Sequence, residues 1–342
     1  MSDQNFKEVK KTSIGGQALM EGLMMMGPYK ISTCVRLSSG EILEKTMDRP
    51  KAPKAAKIPF IRGVVNLFTQ MKIGIGELMY SAEQIDLSED EPKDKAKVDQ
   101  EPVETVETEA TESGETEAVE VAATEEPEKK EKESLPGWAL VLTVVFALGL
   151  SICLFILLPS FLVSFIPWDR SITAIHVLSN LLEGCVRIGI FVAYLSLVNR
   201  MNEMSRVWMY HGAEHKTIYC YESGEELTVE NCRKFPKEHK RCGTSFMFLV
   251  MIIAILVFSL VPDLGRWLNM LVKLALIPIV AGISYEVIKY AGSHENKFCS
   301  ALSKPGLLFQ KLTTKEPDDS MLEVAIKAMQ NVIPEDAEAD RW

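Results

Sequence analysis

Residues 138–166 read WALVLTVVFALGLSICLFILLPSFLVSFI, a run without a single Asp, Glu, Lys or Arg. Such a run is long enough to cross roughly 30 Å of hydrocarbon as a helix. In lipid, only a helix or a closed barrel keeps every backbone polar group bonded. Three more stretches repeat the pattern, at about 172–198, 245–261 and 267–289. The fold class expected is therefore mainly α: a four-transmembrane-helix bundle over 136–292, with cytoplasmic segments attached.

Orientation follows from the basic residues of the connecting loops. The short links carry one arginine each, Arg170 and Arg266. The 199–244 loop carries Arg200, Arg206, Lys216, Arg233, Lys234, Lys237, Lys240 and Arg241. That loop and both termini are expected in the cytoplasm, and the lipid bilayer is the first partner. MSDQNFKEVKK at the start is polar, so no signal peptide is expected.

The whole chain has 342 residues, 37 Lys and Arg, 47 Asp and Glu, and a formal charge of −10. Its acidity is concentrated in 86–133, a Glu-, Thr- and Ala-rich tract with almost no aromatics. The segment 85–135 reads as a disordered linker, because it cannot bury enough apolar surface to offset ordering. No basic stripe of the kind that binds nucleic acid is present. Seven cysteines, an odd number without a CxxC, do not make a disulfide framework.

The N-terminal segment 1–84 has three parts. SIGGQALMEGLMMMGP (13–28) combines a Gly-Gly turn with methionines that read as a pliable packing surface. Residues 31–37 and 41–46 alternate around Ser-Ser-Gly and predict a β-hairpin. Residues 59–84 place apolar side chains at helical spacing, with Arg62, Lys72 and Glu77 interspersed. They predict an amphipathic helix on the inner membrane face or packed on the spans. In the cytoplasmic tail, 293–342, an Asp-Ser start after Pro317 predicts a short amphipathic helix.

The sharpest chemical signal is YHGAEHK at 210–216. His211, Glu214 and His215 spell H-x-x-E-H. On a helix the two histidines lie one turn apart on one face, where both imidazoles can reach one metal ion. Glu214 is the candidate general base, in the reverse order of the H-E-x-x-H arrangement. A third ligand is needed, and Glu286 and His239 are the leading candidates. Glu286 lies one turn inside the cytoplasmic end of the fourth span, where a carboxylate is costly without a partner. Glu222 and Cys242 are further ligand candidates, and Gln17 and Glu21, at helical spacing, are supporting groups. Tyr285 or Arg62 is the candidate oxyanion stabiliser. Glu183 and Arg187, mid-span and four residues apart, read as an internal ion pair. A zinc knuckle from Cys220, Cys232, His239 and Cys242 lacks the usual paired spacing.

The motifs GGQALMEGLMMMGP, PFIRGVVNLF, YHGAEHKTIYCYE, HKRCGTSF, PIVAGISYE and PGLLFQKLTTKEPDD together resemble the YqhQ family of bacterial membrane proteins. The resemblance implies a bacterial inner-membrane protein and a metal-dependent enzyme without an assigned substrate. Where that family commonly has His-Pro-Arg-Cys-Gly, this chain has Lys240 between His239 and Arg241, and keeps Cys242. The functional expectation is a divalent-metal enzyme, zinc first, hydrolysing a membrane protein or a lipid head group at the cytoplasmic face. The alternative is a non-enzymatic membrane scaffold with a structural metal or polar cluster, and a transporter ranks third.

Overall fold

The computed structural model describes residues 9–89 except 52, 54, 55 and 57, residues 137–167, and residues 173–341 except 263, 295 and 337. The expected linker lies outside the described residues from 90 to 135. The chain divides into residues 1–91 with 154–342, and residues 92–153. Of the second unit, the described part is an apolar helix, α2 (Gly137–Ile152).

The first unit begins with an antiparallel meander, β1 (Gly15–Leu19), β2 (Gly22–Met26), β3 (Lys30–Arg36) and β4 (Ile42–Asp48), in the order β1-β2-β3-β4. The expected hairpin is β3–β4, with Ser32 opposite Thr46. The Met-rich stretch adds a second hairpin, which sequence periodicity did not reveal. All five residues of β2 are buried, because the sheet is covered on both faces. Leu23 and Met25 join a core with α5 and α10, while Met24 and Met26 pack with Leu19 and Ile31 on the other face. Gly22 lets β3 approach, since a Cβ there would lie 2.2 Å from the Cys34 carbonyl oxygen.

The predicted amphipathic helix is α1 (Ile61–Glu89). It ties to the sheet through Glu77, which accepts from Thr33 Oγ1 at 2.8 Å and from Lys45 Nζ at 2.8 Å. The loop 199–244 is largely helical, as α5 (Asn202–Ser223) and α6 (Val229–Arg233). Gly224, at φ 75°, closes α5 in the left-handed conformation. The tail holds two helices, α9 (Lys297–Thr313) and the expected α10 (Asp319–Gln330). Near the two ends, Thr12 pairs with Arg341 in an isolated bridge. Asp340, fully buried, accepts from Thr12 Oγ1 at 2.9 Å and from Tyr221 Oη at 2.8 Å.

Among the described residues three helices are long and apolar enough to cross a membrane, Val145–Ser164, Ala174–Val198 and Leu268–Ala291. The first run passes from α2 through a π-helical turn (Cys153–Leu157) into α3 (Leu158–Ser164). The others belong to α4 (Thr173–Val198) and α8 (Arg266–Ser293). The expected span at 245–261 is α7 (Gly243–Ser259), apolar but only 17 residues long. At 1.5 Å per residue it covers about 26 Å, short of the hydrocarbon thickness. The apolar core of α7 and α8 is Leu249, Ile253 and Val280. A Cβ on Gly184 of α4 would fall 2.5 Å from Ile255 of α7, so glycine sets that crossing. Glu183 and Arg187 form the expected i, i+4 pair at 2.8 Å, with Lys273 at 3.6 Å from the same carboxylate. The Arg187 Nε also donates to the Phe155 carbonyl at 2.8 Å, within the π-helical turn.

Asp318 caps α10, accepting from the Met321 N–H at 2.9 Å. Asp318→Ala is expected to cost about 1 kcal/mol, read as a lower thermal midpoint of the detergent-solubilised protein.

Candidate metal centre

The centre is built on α5. His211 and His215, one helical turn apart, have ring centroids 4.4 Å apart. Cys242 stands at the N-cap of α7, and its Sγ lies 3.1 Å from His211 Nε2. The ligand atoms of His211, His215 and Cys242 all lie within 4.8 Å of one another, and all three residues are buried. Among the described residues this is the one group of His, Cys, Asp and Glu that could hold a metal ion.

Both rings are held from behind by backbone. His211 Nδ1 lies 2.7 Å from the Thr313 carbonyl at the end of α9. His215 Nδ1 lies 2.5 Å from the Lys237 carbonyl. A carbonyl only accepts, so each Nδ1 carries the hydrogen and, in the neutral ring, each Nε2 offers a lone pair. His215 Nε2 is buried without a hydrogen-bond partner. Orienting metal-bound histidines through their second ring nitrogen is the usual device of such sites.

The electrostatics favour a charged sulfur. Burial opposes ionisation of Cys242, but the imidazoles of His215 and His211 hold its thiol well below the ordinary value. Burial likewise opposes the His211 cation, yet the adjacent Cys242 and Glu214 push it up to about 9. Two nitrogens and a thiolate form a donor set suited to zinc or another borderline-soft ion.

Glu214 is also buried, and burial raises its carboxyl above the usual carboxylate range. Its Oε1 accepts from the Gly16 N–H of β1 at 2.8 Å. Only glycine fits there: a Cβ at 16 would lie 2.5 Å from the Met24 carbonyl oxygen and 3.0 Å from the Glu214 carboxyl carbon. The Gly-Gly pair thus lets a strand press against the helix that carries the histidines.

The loop carrying Cys242 is held between α5 and α9. Gln310 accepts from the His239 N–H at 2.7 Å and donates to the His239 carbonyl at 2.8 Å and to Ser245 Oγ at 2.7 Å. Glu222, fully buried, accepts from the Thr12 N–H at 2.7 Å and pairs with Arg241, with His239 Nε2 at 3.4 Å. Burial opposes its charge, but His239 and Arg241 hold its carboxyl below the usual range. His239 itself is lowered by burial to about 4.

The structure therefore brings His211, His215 and Glu214 together with Cys242, leaves His239 beside them with its ring 5.5 Å from that of His215, and sends the other candidates elsewhere. Glu286 does not join the cluster. Its oxygens accept from Arg62 Nε at 2.7 Å, Arg62 Nη2 at 2.5 Å and the Phe60 N–H at 3.1 Å. Tyr285 Oη accepts from Asn66 Nδ2 at 3.0 Å, and its ring lies beside the Arg62 guanidinium. Arg62, Tyr285 and Glu286 thus form the junction of α1 with α8. Gln17 and Glu21 are not on a helix: Gln17 lies on β1 and donates to the Gly74 carbonyl at 3.3 Å, and Glu21 sits in the β1–β2 turn, paired with Arg206. His239 and Glu222 face each other rather than His211. The four-residue zinc knuckle does not assemble, since Cys220 Sγ donates to the Glu226 carbonyl at 3.4 Å while Cys242 faces His211. The carbonyls of Thr313 and Lys237, the Gln310 clamp and the Gly16 N–H escaped sequence reasoning. Of these, only the Gly-Gly doublet left a signal.

A family of proteins of unknown function, DUF1385, matches residues 58–335. The chain belongs to this family. All three clustered ligand residues and Glu214 fall inside the matched DUF1385 region, whereas the four strands precede it. The chain is also similar to the uncharacterized protein YqhQ of Bacillus subtilis (strain 168), at 31% identity over 326 residues, 93% of this chain and 92% of that protein. No solved structure matches the chain.

Gly212, between His211 and Ala213, is pressed by backbone: a Cβ there would lie 2.1 Å from the Lys315 carbonyl oxygen. Gly212→Ala is expected to destabilise the protein by about 1–3 kcal/mol, the usual cost of overpacking. Thermal unfolding in detergent measures the loss. A neutral result would show that the 313–317 segment moves away without cost.

Proposed function

We propose that this DUF1385 member is a membrane-embedded, zinc-dependent hydrolase whose site lies at the cytoplasmic face. The observation that carries this reading is the orphaned, buried Nε2 of His215. It is held beside His211 Nε2 and Cys242 Sγ by a carbonyl bond on the opposite ring nitrogen. Leaving such an atom unsatisfied costs on the order of 1–3 kcal/mol, and a metal ion would relieve it.

His211, His215 and Cys242 would hold the ion. When bound, the metal polarises a carbonyl or phosphoryl oxygen and makes an attacking water more acidic. Glu214 would act as the base that takes a proton from the attacking water and passes it to the leaving group. Its raised affinity for protons, a consequence of burial, suits a base that must later act as an acid. The Gly16 N–H fixes one carboxylate oxygen and leaves the other for the proton.

α7 serves in this reading as the fourth crossing, with a local thinning of the bilayer matching its length. Cys242, at its first turn, then stands close to the cytoplasmic surface of a bacterial inner membrane. The lysine- and arginine-rich segments around α5 and α6 support that side for the site and for both termini. A membrane-resident substrate, either a protein or a lipid head group, fits a centre so placed.

One observation favours a second reading, a structural metal site in a membrane scaffold. His215 is only 1% exposed and none of the ligands exceeds 9%. Closed burial is typical of metals that hold a fold together.

Metal content of detergent-purified protein, by mass spectrometry, tests the proposal. Wild type and Glu286→Ala are expected to carry near-stoichiometric zinc. His211→Ala/His215→Ala and Cys242→Ala are expected to lose it at least tenfold. Zinc retained by the double histidine variant would overturn the site. Glu214→Gln should retain the metal and fail to complement a deletion strain. Full complementation by that variant would instead establish the structural reading.

A further inference from the structure

α1 presents two distinct faces, and the structure accounts for only one. At about 100° per residue, Gly63, Gly74, Glu77 and Ser81 share one side, and all are buried. Gly63 sits against α8, where a Cβ would lie 2.6 Å from Tyr285 Cβ. Gly74 and Glu77 meet the sheet through Gln17, Thr33 and Lys45. About a third of a turn away, Ile61, Phe68, Met71, Ile75, Leu78 and Met79 form a stripe along the helix. Phe68 is 67% exposed, Ile75 54% and Met79 61%. A contiguous apolar surface of this kind marks an interaction site rather than ordinary surface.

We infer that this stripe of α1 lies in the acyl–headgroup boundary of the bilayer, as an in-plane anchor that holds the sheet against the membrane. Three observations select lipid as the occupant. First, α1 begins at a span: Arg62 is bonded to Glu286, and the Phe60 carbonyl meets Gly282, in the last turns of the candidate span Leu268–Ala291. The helix therefore starts at the depth of a span end. Second, the neighbouring side of α1 is taken up by the sheet, since Gly74 and Ser81 are buried there, so α1 lies between the sheet and the surface that the stripe contacts. Third, the open flank beside the stripe carries exposed Lys72 and Gly76, with exposed Glu83 past the end of the stripe. A lysine there can lay its stem along the apolar boundary and place its ammonium among phosphates. Interfacial helices combine these features, an apolar face with basic residues at its edge. This anchor is independent of the metal reading and would hold for a scaffold as well.

The test is site-specific photocrosslinking of the full chain reconstituted in phosphatidylethanolamine and phosphatidylglycerol vesicles. Benzoylphenylalanine would replace Phe68, Ile75 and Met79 in turn, with Glu41, exposed in the β3–β4 turn, as control. Lipid adducts, identified by intact mass, are expected at all three stripe positions at several times the control yield. A crosslinked dimer at Ile75 would assign the stripe to a second copy. An internal crosslink would assign it to another segment of the same chain. Either result, or adducts no more abundant than at Glu41, would overturn the anchor.

Discussion

The carboxylate of Glu222 has no contact with solvent, and much of the architecture around the candidate centre follows from its need for partners. A buried charge is tolerated only when paired and hydrogen-bonded. Its partners come from separate parts of the chain: the Thr12 N–H from the segment before β1, and Arg241 and His239 from the loop before α7. Satisfying one side chain of α5 therefore fixes the N-terminal segment and the loop that delivers Cys242. The sulfur reaches His211 because a carboxylate two helical turns beyond His215 is neutralised. Gln310 completes the arrangement from α9, so the centre draws its geometry from elements widely separated in sequence.

Two of the arginine–carboxylate contacts between elements divide the labour differently. Glu222–Arg241 is enclosed and acts on the candidate site. Arg62–Glu286 is half-exposed, with both side chains 23% accessible, and joins α1 to α8. Surface ion pairs contribute little by themselves, but this one accompanies glycine contacts at Gly63 and Gly282 that fix how closely the two helices approach. α1, and the sheet it carries, is thereby coupled to a candidate span through packing as well as charge.

Much of this was legible in the sequence where a pattern is local. The H-x-x-E-H spacing, the β3–β4 alternation, the periodicity of α1 and the Asp-Ser start of α10 all report neighbours within a few residues. The apolar runs also reported helices, although Ser259 and Pro262 bound α7 more tightly than its hydropathy suggested. Other features depended on contacts that no local pattern encodes. Glu286 was a reasonable ligand by depth along α8, yet Arg62, more than two hundred residues earlier, claims its oxygens. Cys242 gains its place from the start of α7 and the clamp of Gln310. β2 hid because a strand buried on both faces shows no alternation. α9 was not anticipated, and it contains Pro305 and Gly306, of which Gly306 permits close approach to Ser245. The disulfide-free reading of the cysteines agrees with seven free thiols.

The clasp of Thr12 with Asp340 and Arg341 has a consequence for biogenesis. A chain emerging from the ribosome releases residue 12 long before residue 340. The candidate spans are synthesised between these events. The strand segment near the start must therefore wait, with its bonds to Asp340 unmade, until translation has nearly finished. Thr313, whose carbonyl orients His211, also arrives late. Assembly of this body is consequently completed only late in synthesis, and a nascent chain stalled within α8 would present His211 without the Thr313 carbonyl that aims it.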